Sequence, residues 1–270
     1  MRPGTIYHVA VHVFKESVRD RVLYNLLLFA ALLMGSSFLI GQLTAGQDVK
    51  IIKDLGLAAI SLFGLFIAIF IGIGLVSKEV EKRSIYALLA KPVRREELIA
   101  GKFAGLAITL AINIAIMSAV YFAILAYYGW TEPEAIRRAW EAPAADPRLL
   151  VPIFLIYLQL LIVTAIALFF STFTSPLLAA AFSLGLWIAG HFSADLKAFE
   201  QVGGGGAAAA LGKALYYVLP NLSAFDVKSI AVHGRHVPAG LIAMNAASAA
   251  AYVGVLLIAA ALIFSRRDFK

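Results

Sequence analysis

The apolar positions of this chain run in long blocks rather than in strict alternation. Stretches free of Asp, Glu, Lys and Arg cover Val22–Gln47, Leu55–Ser77, Phe103–Thr131, Leu149–Ala194 and Val237–Ser265. A membrane span needs about 20 apolar residues, and a charge at the bilayer centre costs at least roughly 2.5–3.5 kcal/mol. Each block is therefore long enough to cross a bilayer. The fourth is 46 residues long and as one helix would reach about 69 Å, over twice the hydrocarbon thickness. Ser171-Thr172-Phe173-Thr174-Ser175-Pro176 interrupts its middle. Small hydroxyl residues followed by Pro end one helix and start another. The pattern predicts an all-α membrane protein with six spans, at 22–43, 55–76, 103–128, 150–170, 176–194 and 241–264, forming a single domain over residues 1–270.

The segments between the blocks carry their own patterns. In residues 5–21, Ile6, Ala10, Val13, Phe14 and Val18 fall on one helical face, and His8, His12, Lys15, Glu16 and Arg19 on the other. This predicts an amphipathic helix lying in the membrane interface. Residues 77–102 hold the densest charge in the chain, with an apolar stripe of Val80, Ile85, Leu88 and Leu89 at helical spacing. Lys91-Pro92 ends that helix, because the residue before Pro is driven from helical angles. Arg94-Arg95-Glu96-Glu97 then opens the next. Such a helix either lies on anionic lipid or docks a soluble partner. Residues 129–148, with Pro133, Pro143 and Pro147, read as an outer loop. Residues 195–240 read as a longer outer segment with a partly membrane-dipping helix pair. Its Leu215–Pro220 run is too short to span.

Composition narrows the class further. The 270 residues are 61% hydrophobic and 14% charged, with no cysteine. Soluble domains are roughly 45–50% apolar and about 25% charged, so water-soluble, disordered and disulfide-built classes drop out. The net charge of +7 matters through its location. With six spans both termini share a side with 77–102 and 171–175. That side holds 14 Lys/Arg against 7 Asp/Glu, and the other holds 9 of each. The positive-inside rule places both termini in the cytoplasm, and the chain in the cytoplasmic (inner) membrane as a multi-pass protein. No cleavable leader is expected, since the first apolar block is too long for one.

Motifs of self-contained chemistry are missing. There is no G-x-x-x-x-G-K-[ST], no H-E-x-x-H and no G-x-S-x-G. The chain therefore is not expected to bind ATP in the P-loop manner, to hold a metal, or to catalyse a reaction. The five histidines are scattered; His8 and His12 have ligand spacing but no third ligand, and His233-Gly234-Arg235-His236 reads as solvated loop. No predicted span core carries Asp, Glu, Lys or Arg, which ion-driven transporters usually need. Asn25, Gln42, Asn113, Gln159 and Asn245 are expected to make interhelical hydrogen bonds. Gly72, Gly74 and the small run 246–250 allow close helix contact. Six spans with no energy source of their own and a charged cytoplasmic helix suit an energy-supplying partner.

The run Glu79–Arg95, followed by Glu97 and Gly101-Lys102-Phe103, resembles the cytoplasmic signature of ATP-binding cassette (ABC) type-2 permeases, most closely the multicopper-enzyme and nitrous-oxide-reductase maturation branch. Tyr217–Asp226 is similar to that branch's outer segment before the last span. The resemblance implies a permease that pairs with a second copy, identical or related, and binds two cytoplasmic ABC ATPase subunits. It implies that the helix between the second and third spans is the coupling helix. Glu81, Arg83, Ser84, Ile85, Tyr86, Leu88, Leu89, Lys91, Pro92, Arg94 and Arg95 would then contact the ATPase. ATP and Mg would sit on that partner, with no cofactor on this chain and no nucleic acid bound. Four Met, no Cys and no His cluster in the spans argue against copper as cargo. The expected activity is ATP-driven export of a lipid-like, peptide-like or drug-like substrate. A membrane scaffold recruiting cytoplasmic proteins and an integral-membrane lipid enzyme are the alternatives.

Overall fold

The computed structural model describes residues 3–41, 48–81, 94–193 and 219–266, and among these residues the regular structure is all helical. In chain order the helices are α1 (Pro3–Val18), α2 (Arg21–Gly41), α3 (Asp48–Glu81), α4 (Arg95–Thr131), the short α5 (Glu134–Arg137), α6 (Leu150–Ser171), α7 (Pro176–His191), the short α8 (Lys228–Val232) and α9 (Ala239–Arg266). Single 3-10 turns lie at Pro147–Leu149 and Ser223–Phe225. Five helical stretches are long and apolar enough to cross a membrane: 21–41, 48–74, 96–131, 147–171 and 239–265. In hydrocarbon every backbone polar group must be satisfied within its own segment, and a continuous helix does this. Long apolar blocks therefore become helices whatever their neighbours.

Burial ranks the spans. Two-thirds (67%) of the apolar windows of α3 and α6 are buried, against 24% for α2 and 22% for α9. Helix α6 packs on α3, α4, α7 and α9 and carries no charge. A helix apolar all round belongs in a core, and Leu155, Leu160, Ile162, Val163 and Ala167 on different sides of α6 are all buried. Glycines let α3 approach its neighbours. A Cβ on Gly64 would stand 2.5 Å from Leu160 Cδ1, and one on Gly72 2.6 Å from Ala167 Cβ. On the α4 side, a Cβ on Gly56 would lie 2.2 Å from the Tyr121 ring, whose hydroxyl donates to the Lys53 carbonyl at 3.1 Å. Gly74, also expected to serve close packing, meets nothing within 4 Å.

The structure departs from the sequence expectation in three places. First, the block expected as the fifth span, 176–194, forms a 16-residue helix. Its length is about 24 Å, short of the roughly 30 Å hydrocarbon core. The α6–α7 turn is as expected: Ser171, Thr172 and Thr174 hydroxyls donate to carbonyls of α6, and Pro176 opens α7. Returning from that turn, α7 ends where His191 meets Gln159 at 3.0 Å. Gln159 lies nine residues inside α6, so α7 stops about 14 Å below the other end of α6. Leu222, Phe225 and Val227 fill the space beyond, packed with Leu155, Ile162 and Val237.

Second, α3 starts at Asp48, so Lys50, Lys53 and Asp54 belong to one continuous helix with the span. Lys53 is buried under loop residues rather than exposed to lipid, which removes the reason to end the helix before it. Third, α1 packs the Ala10 and Val13 part of its apolar face on a span. That span is α4, as described below, while Val18 of the same face stays exposed.

Candidate functional site

The residues expected to meet an ATPase bracket the junction between α3 and α4. Arg83, Ser84, Ile85, Tyr86, Leu88, Leu89, Lys91 and Pro92 lie outside the described residues. Glu81 closes α3 and Arg95 opens α4. Arg94 is exposed, with extended backbone at the N-cap of α4 (φ −69°, ψ 140°). Its carbonyl accepts the first helical bond from Leu98 N at 3.1 Å. Glu96 and Glu97 occupy the first turn, where a negative charge complements the helix dipole. Together with α1, the start of α2, the 172–175 turn and the last turns of α9, this junction forms one end of the bundle, here called the near end.

Helix α1 is seated on the first turns of α4 by two glycines. A Cβ on Gly101 would stand 2.7 Å from Val9 Cβ and 3.1 Å from the Ile6 carbonyl. One on Gly105 would stand 2.6 Å from the Ala10 carbonyl and 2.7 Å from Val13 Cβ. Ala10, Val13 and Ser17 are buried in this contact, while Tyr7, His8, His12, Lys15, Glu16 and Arg19 remain exposed. The amphipathic pattern was legible; the span that covers part of it was not. Two charged side chains are buried beside this seat, Glu97 and Lys102, each 2% exposed. Both are engaged in polar interactions, as buried charges must be. Gly105→Leu is expected to lift α1 from α4, cost about 2 kcal/mol by overpacking, and open the Arg19–Arg21 link to trypsin. Gly35→Leu, where the added side chain meets nothing within 4 Å, is the matched control; equal trypsin rates for the two would contradict the seating.

Polar groups inside the bundle are mostly closed on themselves. Thr109 Oγ1 donates to Gly105 O (2.9 Å) and Asn113 Nδ2 to Thr109 O (2.7 Å). Asn113 thus bonds within its own helix rather than across helices as expected. Gln159 and Asn245 do reach across. His191 Nδ1 lies 2.9 Å from the Trp187 carbonyl, which can only accept, so Nδ1 carries the proton and Nε2 accepts from the Gln159 amide. Asn245 Nδ2 donates to Ala224 O at 2.9 Å. Gln42 lies outside the described residues.

The opposite, far end is tied down by two interlocked segments. Residues 219–227 are held by Tyr252 OH donating to Leu219 O (3.0 Å), and by Asn221 Oδ1, which accepts from Ser193, Ser223 and the Ala224 amide. Gly190 gives Leu222 room, since a Cβ there would stand 2.8 Å from Leu222 Cγ. The described part of the expected outer helix pair is thus a 3-10 turn and a short helix; 194–218 lies outside the described residues. The second segment, 132–149, is bound through Lys50 Nζ to Glu141 at 2.8 Å. That bond holds the Glu141 carboxyl below the usual carboxylate range. Trp140 stacks on Tyr128 (5.7 Å, 17°), and Tyr128 OH donates to Asp48 at 3.2 Å. Arg148 donates to the Gly234 carbonyl. Gly234 has φ +66°, with Ala142 Cβ 2.7 Å from where its own Cβ would stand, so only glycine fits. The loop 233–236, with His233, Arg235 and His236 exposed as expected, is also one half of a clasp.

Among the described residues no group of three His, Cys, Asp or Glu could hold a metal ion. The sequence reasoning missed the α1 seat, buried Glu97 and Lys102, and the far-end clasp. The eight-residue spacing of Gly56, Gly64 and Gly72 was the one signal of the α3 contacts available in the sequence. What the arrangement offers among the described residues is mechanical: a central helix pair in tight contact, a near end with Arg94 exposed at the N-cap of α4, and a far end tied by the two segments. A family model described as "ABC-2 family transporter protein" matches residues 7–269. No curated protein matches the chain.

Proposed function

The chain belongs to the ABC-2 family of transporter proteins, and from that premise we propose that it is the permease subunit of an ATP-driven exporter, energised by a separate cytoplasmic ABC ATPase. The match over residues 7–269 is the observation that carries this reading. The likeness of 79–103 to the maturation branch supports placing the coupling helix at residues 84–90, with Glu81, Arg83, Ser84, Ile85, Tyr86, Leu88, Leu89, Lys91, Pro92, Arg94 and Arg95 at the ATPase contact. Two permease chains pair, and the path for a lipid-like, peptide-like or drug-like substrate runs between them. ATP and Mg belong to the partner.

The geometry suits that role. Motion received by residues 84–90 enters α3 and α4, which flank them directly. Because Gly101 and Gly105 seat α1 on α4, α1 travels with α4. Because Gly64 and Gly72 bring α3 against α6, movement of α3 reaches the centre of the bundle. The α6–α7 hairpin then counts as a return crossing in which α7 is completed by 219–227. The crossing number is six, and both termini are cytoplasmic.

The test is purification from native membranes in mild detergent, with mass spectrometry of what accompanies the chain. A stoichiometric P-loop ATPase is the expected result. Its reproducible absence with the permease intact would move the reading to a scaffold. Topology has its own test, since the chain lacks cysteine. Ser84→Cys is expected to label with a membrane-impermeant maleimide only from the cytoplasmic side, and Ser223→Cys only from outside. The reverse pattern would overturn the orientation.

A further inference from the structure

Helix α2 has two opposite faces. Leu23, Ala30, Met34 and Ser37 are buried where α2 packs on α3 and α4. On the side away from them Asn25, Leu28, Leu32, Gly35 and Leu39 are exposed, the three leucines by 58%, 59% and 64%. These five positions are spaced 3, 4, 3 and 4 residues apart. That is the a/d spacing of a heptad, the seam along which two helices pair. An apolar stripe alone would suit lipid equally well, and Asn25 decides between the two covers. Asn113, Gln159 and Asn245, the other amides described within the spans, are buried and hydrogen-bonded. Asn25 is exposed, and its side chain makes no hydrogen bond with any described residue. The interhelical bond expected of it is not made within the chain. Its depth makes that costly. The 21 residues of α2 reach about 31 Å, close to the hydrocarbon thickness of roughly 30 Å, and Asn25 lies one turn, about 6 Å, inside its first residue. An amide held in hydrocarbon without a partner is unfavourable.

We infer that α2 pairs with α2 of a second copy of this chain along the seam Asn25, Leu28, Leu32, Gly35 and Leu39. Copies related by a two-fold axis along the membrane normal lie parallel, so each seam residue meets its counterpart at the same depth. An amide both donates and accepts. Asn25 is therefore complementary to itself across that axis, whereas an acyl chain offers it neither a donor nor an acceptor. A single Asn at an a position also fixes the register of a helix pair, because a slip of one turn leaves both amides unanswered. The inference rests on the pairing of two permease chains proposed above and assigns the face they use.

The chain has no native cysteine, so single-cysteine variants of the full chain report the seam. Each is purified, returned to phospholipid vesicles and oxidised with iodine. Leu32→Cys is expected to give a disulfide dimer. Leu33→Cys, one residue round the same helix, and Ile258→Cys, on the exposed face of α9, are expected to stay monomeric. In mild detergent, Asn25→Leu is expected to weaken the dimer roughly tenfold, the size of an amide bond between membrane helices. Asn25→Gln, which keeps donor and acceptor, is expected to retain it. A dimer through Ile258→Cys with Leu32→Cys silent would overturn the seam and leave the pairing intact through another face. No disulfide from any variant, with a monomeric mass in detergent, would overturn the seam and the pairing together. An unchanged dimer affinity in Asn25→Leu would also overturn the inference, since the stripe would then be an ordinary lipid-facing one. Co-purification of the ATPase tests the permease assignment independently of all these outcomes.

Discussion

Gly72→Val is expected to cost this permease about 3 kcal/mol of stability, the upper part of the range for overpacking a filled core. That is more than a hundredfold in the unfolding equilibrium. The cause is local and stiff. A Cβ at position 72 would stand 2.6 Å from Ala167 Cβ and 3.3 Å from the Thr164 carbonyl. Both belong to α6, one of them to its backbone, so no flexible side chain can swing away. Helix α6 cannot withdraw either, because α4, α7 and α9 are packed on it. Gly74→Val supplies the control two residues along the same helix, where an added Cβ meets nothing within 4 Å. The measurement is the thermal midpoint of each purified variant in one detergent. Equal midpoints for the two variants would show that the α3–α6 contact is not the stiff element described.

Leu88→Asp is expected to abolish co-purification of the ATPase and its stimulation by the permease while leaving the permease midpoint unchanged. Leu88 belongs to the apolar stripe of Val80, Ile85, Leu88 and Leu89. In the proposed function this stripe enters a cleft of the ATPase. Burying a carboxylate there without a partner costs several kcal/mol, and every 1.4 kcal/mol is tenfold in affinity. Docking would weaken by more than a hundredfold. Full ATPase coupling in the Leu88→Asp permease would end the assignment of 84–90 as the coupling helix.

Much of the fold was legible because the bilayer sets a one-dimensional criterion. A block such as Val22–Gln47 or Val237–Ser265 becomes a helix of the right length wherever it packs, since hydrocarbon offers its backbone no other partner. The Ser171–Pro176 break was equally legible: hydroxyls and proline act through their own carbonyls and ring, within four residues of chain. The candidate contact residues were legible only as a pattern between spans. The part Gly234 plays in the far-end clasp could not be seen in the sequence. That part depends on Ala142, some ninety residues away in sequence.

By itself, then, the sequence determined the class, the helices and the helix-breaking turn, because each follows from hydropathy and from bonds closed within a few residues. Only the tertiary structure decided what covers each face. It put α1 on Gly101 and Gly105 of α4, stopped α7 at Gln159, and inserted Leu222 and Phe225 above it. It also buried Lys53 and Lys102 and made α6 the axis of the bundle. An amphipathic or apolar stripe states that a face must be covered, since exposing it to water is costly. It does not name the cover, because several apolar surfaces meet that demand equally and shape alone, here the space left by glycines, selects among them.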